Sequence, residues 1–122
     1  MAYQSFEELE VWKRSCDTAT RIYRLIKDCR DYGLKDQMTR AAVSIASNIS
    51  EGAERDSINE FIRFLHIAKG SAAELRTQAH IAHEVGLFTP EATKELIEEL
   101  KIISSMLHAL ITSLKGKNQP KT

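Results

Sequence analysis

Four stretches of this chain repeat apolar residues at alternating steps of three and four, and that spacing is compatible with little except long helices that each bury one face. The first stripe is Leu9, Trp12, Cys16, Ala19, Tyr23 and Ile26. The second is Leu34, Met38, Ala41, Ile45, Asn48 and Gly52, whose last two members are not apolar core residues. The third runs Ile58, Phe61, Leu65, Ala68, Ala72, Leu75, Ala79, Ala82, and the fourth Leu96, Leu100, Ile103, Leu107, Leu110, Leu114. With 122 residues the prior is one domain. Two prolines and five glycines are too few to build the many turns of a β protein.

The punctuation between the stripes predicts helices over 6–30, 35–54, 58–86 and 90–115, with 116–122 a disordered tail. Gly33 falls in the first break. Ser57 to Glu60 forms a capping box, in which the serine hydroxyl takes the Glu60 amide and the glutamate reaches back. Gly86 closes the third helix, and Thr89-Pro90 supplies an N-cap followed by proline in the first turn. Four helices with short links fold most simply as an antiparallel up-down-up-down four-helix bundle, all-α.

Several function classes lack their chemistry. A di-iron bundle needs Glu-x-x-His on two helices, and no glutamate stands three before His66, His80, His83 or His108. His80 and His83 lie one turn apart without a third ligand in reach, so they read as surface histidines rather than a metal site. Cys16 and Cys29 have no redox or metal spacing. There is no phosphate loop and no nucleophile motif. The expectation is a non-enzymatic protein with no cofactor. No run spans a membrane and the start carries no signal core, which predicts a cytoplasmic location.

Two charge-free stretches point to self-association. No residue from Ala41 to Ser50 is charged, and none from Ile102 to Leu114 if His108 is neutral. Helix 2 has a second apolar line in Ala42, Ala46, Ile49 and Ala53, and helix 4 one in Ile97, Met106 and Ile111. Every helix of a four-helix monomer has an outside, so such stretches predict a homo-oligomer.

Polar residues on the expected buried stripes need partners. In a regular hairpin, levels on helices 2 and 3 have numbers summing to roughly 110. Asn48 is then about twelve residues, roughly 18 Å, from the Ser71 and Glu74 site, so the two are read as separate. Glu74 and Ser71 fall near Arg40, which predicts a buried register-fixing ion pair. Asn48 is expected to bond Asp17 or Thr20 of helix 1 and to set register, with Glu51 beside it and Gly52 easing the chain toward the turn.

The blocks FEELEVWKRS, YGLKDQMTRAAVSIASNISEG and FIRFLHIAKGSAAEL, from about Phe6 to Leu114, resemble the bacterial four-helix-bundle proteins encoded by intervening sequences within 23S ribosomal RNA genes. Thr39 stands where that family often has the first of two arginines. The resemblance implies a bundle that assembles into rings, typically homopentamers, and an association with RNA. A similar bundle serves retroelements that diversify genes, beside a reverse transcriptase and RNA. The cations that would meet RNA are Arg21, Arg24, Lys27 and Arg30, opposed only by Asp28, with Lys115, Lys117 and Lys121 in the tail. The zero net charge and the acidic start of helix 4 leave a second reading open, a ring scaffold that docks another protein without touching RNA.

Overall fold

A computed structural model describes residues 5–117. A short 3-10 turn, Phe6–Glu8, precedes four helices: α1 Glu10–Leu25, α2 Tyr32–Ala53, α3 Ile58–Glu84 and α4 Pro90–Lys117. Each helix packs beside its neighbours in sequence, α1 closes against α4, and α2 and α4 lie on a diagonal of the bundle. Directions follow from side-chain pairs. Ser44 meets Ser71 while Gly52 meets Phe64, and Arg14 meets Glu99 while Arg21 meets Glu95, so both pairs of helices run antiparallel.

The helix ends follow local chemistry. Asp31 accepts the Leu34 amide at 3.1 Å and starts α2 three residues earlier than the spacing predicts, which places Gly33 inside its first turn rather than in the break. Ser57 accepts the Glu60 amide at 3.2 Å, but the Glu60 carboxylate takes Arg63 at 2.8 Å instead of reaching back. The expected capping box is therefore half formed, because the arginine offers the stronger charged donor. Thr89 caps α4 through the Ala92 amide. Gly86 ends α3 with φ +82°, and its neighbour Leu87 donates back to the Ala82 carbonyl at 2.8 Å, a geometry that favours glycine.

Two boundaries differ more. Helix α1 begins after an extended Leu9 and stops at Leu25, so Lys27 and Arg30 sit in the connection to α2 rather than on a helix. Gly116 and Lys117 continue α4, and the rest of the expected tail lies outside the described residues.

The core is one cluster along the bundle axis. It holds Met38, Ile45 and Ile49 of α2, Leu65 and Leu75 of α3, and Leu96, Leu100, Ile103 and Leu107 of α4, all fully buried. Helix α1 enters it differently from its expected stripe. Val11, Ser15, Thr18 and Ile22 face inward, and Ser15 returns its hydroxyl to the Val11 carbonyl at 2.7 Å. The expected stripe of Trp12, Cys16, Ala19 and Tyr23 is turned sideways toward α2, leaving Tyr23 55% exposed. Among the described residues no helix is long and apolar enough to cross a membrane.

Candidate interaction surfaces

The sideways turn of α1 creates a groove. Its α1 wall is Trp12, Cys16, Ala19 and Thr20, its α2 floor is Val43, Ala46, Ser47 and Ser50, and Phe6 closes one end. Phe6 and Trp12 stack edge to face with ring centroids 5.3 Å apart, which fixes the indole as the end wall. The groove encloses about 480 Å³ and no lining residue is charged. It continues past Val43 toward Tyr23, Thr39 and Arg40. Small residues on α2 make it concave: alanine and serine leave the backbone low between two walls. The Cys16 thiol is pushed up by burial, and secondarily by Asp17, so it stays protonated at neutral pH and contributes apolar surface rather than nucleophile. The charge-free stretch of helix 2 was legible in the sequence; the groove was not, because it required knowing which stripe of α1 faces in.

The polar residues of α2 and α3 gather on the opposite flank of α2. The Asn48 amide donates to both the carbonyl and the hydroxyl of Ser44, at 2.8 and 2.9 Å, and the Ser44 hydroxyl meets that of Ser71 at 2.9 Å. This corrects two expectations. Asn48 turns toward α3 and not to Asp17 or Thr20, whose hydroxyl is returned to the Cys16 carbonyl. Asn48 and Ser71 also belong to one chain of hydrogen bonds, because Ser44 pairs several residues further along α3 than regular hairpin arithmetic gives. Gly52 explains that register. A Cβ there would lie 2.7 Å from the Phe64 Cβ, so the glycine sets a close approach of α2 and α3 instead of easing a turn. Gln78, one heptad beyond Ser71, is buried with its Oε1 unpartnered.

Arg40 and Glu74 do not form the expected pair. Arg40 bonds Asp36 of its own helix at 3.0 Å and its side chain is 80% exposed, while Glu74 and Glu51 are exposed. At a solvated position the nearest carboxylate one turn away wins over a partner across the helix pair. Glu74→Ala is accordingly expected to change stability by less than about 0.5 kcal/mol. Chemical denaturation of the parent and the variant at equal concentration measures it, and a loss above about 2 kcal/mol would reinstate a buried pair.

The expected cationic set is divided. Arg21 is held by Glu95, and two turns earlier Arg14 makes a two-pronged bond to Glu99 with both contacts at 2.8 Å. Hydrogen bonding and the charge of Glu99 raise the Arg14 pKa above its ordinary value. These pairs tie α1 to the acidic start of α4 and withdraw Arg21 from the outward cations. Arg24, Lys27 and Arg30 remain exposed at the end of the bundle. Lys35 joins them by donating to the Lys27 carbonyl at 3.0 Å, a cation that the helix-1 reading missed because it lies on α2. Beside them a recess of about 270 Å³ has Arg24, Asp28 and Lys35 at its rim and Met38 and Phe88 in its wall. Among the described residues no cluster of three or more His, Cys, Asp or Glu side chains could hold a metal ion, and His83 approaches only Glu84, at 4.0 Å.

The described residues form an all-α four-helix bundle with an uncharged lateral groove and with Arg24, Lys27 and Arg30 exposed at one end. The family model described as 23S rRNA-intervening sequence protein matches residues 7–109. The chain belongs to that family. Among solved structures it is similar to a protein with unknown function from the S23 ribosomal protein family from Bacteroides thetaiotaomicron. The two are 25% identical with a TM-score of 0.78, over 83% of this chain and 97% of that one. No curated protein sequence matches the chain.

Proposed function

We propose that this protein is a non-enzymatic, self-associating helical bundle that holds RNA through the exposed cations at the α1–α2 connection of each copy. The observation that carries the reading is the solvated position of Arg24, Lys27 and Arg30 beside Lys35, on the same end of every subunit. Assembly multiplies those charges, and phosphate affinity grows with the number of cations brought to one strand. Five copies is the expected number from the family resemblance. Family membership supports the choice of RNA as the polyanion. Arg21, tied to Glu95, contributes less than its place in the sequence implies.

Such binding is weakly selective, because phosphate contacts position a strand without reading bases. Affinity for a single-stranded RNA should fall roughly as the −0.7 power of salt concentration for each phosphate neutralised. Replacing Arg24, Lys27 and Arg30 together by alanine is expected to flatten that slope and weaken low-salt retention at least tenfold, with the oligomer unchanged. Arg21→Ala is the comparison, with a smaller effect. Filter binding over a salt series measures both. Equal retention by the triple variant and the parent removes this end of the bundle as the RNA surface. A parent that retains no RNA at low salt leaves the ring as a protein-docking scaffold.

A further inference from the structure

We infer that the α1/α2 groove of one copy receives the outer face of α4 from a second copy, with both subunits pointing the same way along the bundle axis. This rests on the self-association part of the proposed function and names the surfaces that carry it. Behind its buried Ile103, Leu107 and Ile111, α4 turns Ile102, Ser105, Ala109 and Thr112 to solvent. Their steps of three and four place them in one stripe along the helix. This stripe lies within the charge-free stretch of α4, whose other exposed residues are His108 and Ser113.

The two surfaces fit in shape and length. A groove is concave and the outer face of a helix is convex, so a helix fills it where a second groove does not. From Val43 to Ser50 the floor of the groove advances seven residues, as the α4 stripe does from Ile102 to Ala109, about 10 Å in each case. Small residues on both sides, Ala46 and Ser47 against Ser105 and Ala109, permit close approach of the backbones.

Charge sets the direction. One turn before Val43 stands exposed Arg40, paired to Asp36 a further turn back, and one turn before Ile102 stands exposed Glu98, with exposed Lys101 beside Ile102. Beyond the far end of the groove are exposed Glu7, Glu8 and Glu51, and beyond the stripe are exposed Lys115 and Lys117. Laying α4 parallel to α2 of the next copy matches opposite charges at both ends; laying it antiparallel opposes like charges. Since α2 and α4 lie on a diagonal of the bundle, each copy offers a groove on one side and a stripe on another. The contact is therefore head-to-tail, and repeating it without inverting a subunit generates a ring when the rotation closes.

Two charge insertions test this. Val43→Glu spoils the groove at an exposed position and Ala109→Glu spoils the stripe, with Ser47→Arg as a second groove variant should Val43→Glu lose helix by circular dichroism. Light scattering at tens of micromolar is expected to give an oligomer for the parent and a monomer for each variant. An equimolar mixture of Val43→Glu and Ala109→Glu should then yield a 1:1 heterodimer, because one intact groove and one intact stripe remain and face each other. If Ala109→Glu assembles like the parent, or the mixture of two monomers stays monomeric, the pairing is overturned while self-association stands. A parent that is itself monomeric overturns self-association as well. For direction, Arg40→Glu and Glu98→Lys should each weaken assembly at low salt, and their combination should restore it; no restoration overturns the parallel arrangement.

Discussion

Leu65→Ala is expected to destabilise the bundle by about 2–5 kcal/mol, the largest loss from any single truncation considered for α3. Leu65 is fully buried at the centre of the core. Its removal forfeits the transfer of a large side chain out of water and leaves a void that four rigid helices close only partly. Against a total stability of about 5–15 kcal/mol for a domain of ordinary size, the change is visible in any unfolding experiment. The thermal midpoint should fall by something on the order of 10 °C. Parent and variant have to be melted at one protein concentration, since assembly makes the midpoint concentration-dependent. A fall below about 3 °C would mean that Leu65 is not at the packing centre that its burial describes.

The same substitution at two glycines should have opposite signs. Gly52→Ala is expected to destabilise by about 1–3 kcal/mol. The new methyl would sit 2.7 Å from the Phe64 Cβ, 3.0 Å from the Phe61 ring and 3.3 Å from the Phe61 carbonyl. The Phe64 Cβ and the Phe61 carbonyl lie on or against the α3 backbone, so relief requires the two helices to move apart rather than a side chain to swing. Gly70→Ala meets nothing within 4 Å and stands exposed in the interior of α3. There the methyl only removes unfolded-state freedom, and a gain of about 0.5–1 kcal/mol is expected. Denaturant midpoints of the two variants against the parent decide the matter. Two effects of one sign would show that the α2/α3 approach is not set at Gly52. The double variant should be close to additive, because the two positions share no neighbour.

Helices were legible in this chain because a helix is local: a 3/4 repeat, a capping serine or threonine and a proline in the first turn act within a few residues of each other. That is why Ser57, Thr89 and Gly86 stand where the sequence places them, and why the uncharged runs of α2 and α4 were visible before any packing was known. Helix α1 shows the limit of such reading. It carries two stripes of equal regularity, Val11-Ser15-Thr18-Ile22 and Trp12-Cys16-Ala19-Tyr23. Hydrophobicity favours the second, yet the first faces in. The choice depends on the space left by three other helices, and the small side chains Ser15 and Thr18 fit it while Trp12 fits the flank of α2.

The polar residues follow the same division. Sequence by itself determined that Asn48 and Gly52 are out of place on a core stripe, that Arg40, Ser71 and Glu74 need their partners explained, and that the chain has four helices and two charge-free stretches. Only the tertiary structure decided their partners. The close contact at Gly52 sets how far α3 slides along α2, and a slide of one turn changes every neighbour across the pair. It brings Ser44 to Ser71 and draws Asn48 with them, while Arg40 and Glu74, level in this register, do not pair with each other because both side chains face water. Local spacing names the residues that require an explanation; relative helix position, a property of contacts distant in sequence, determines what that explanation is.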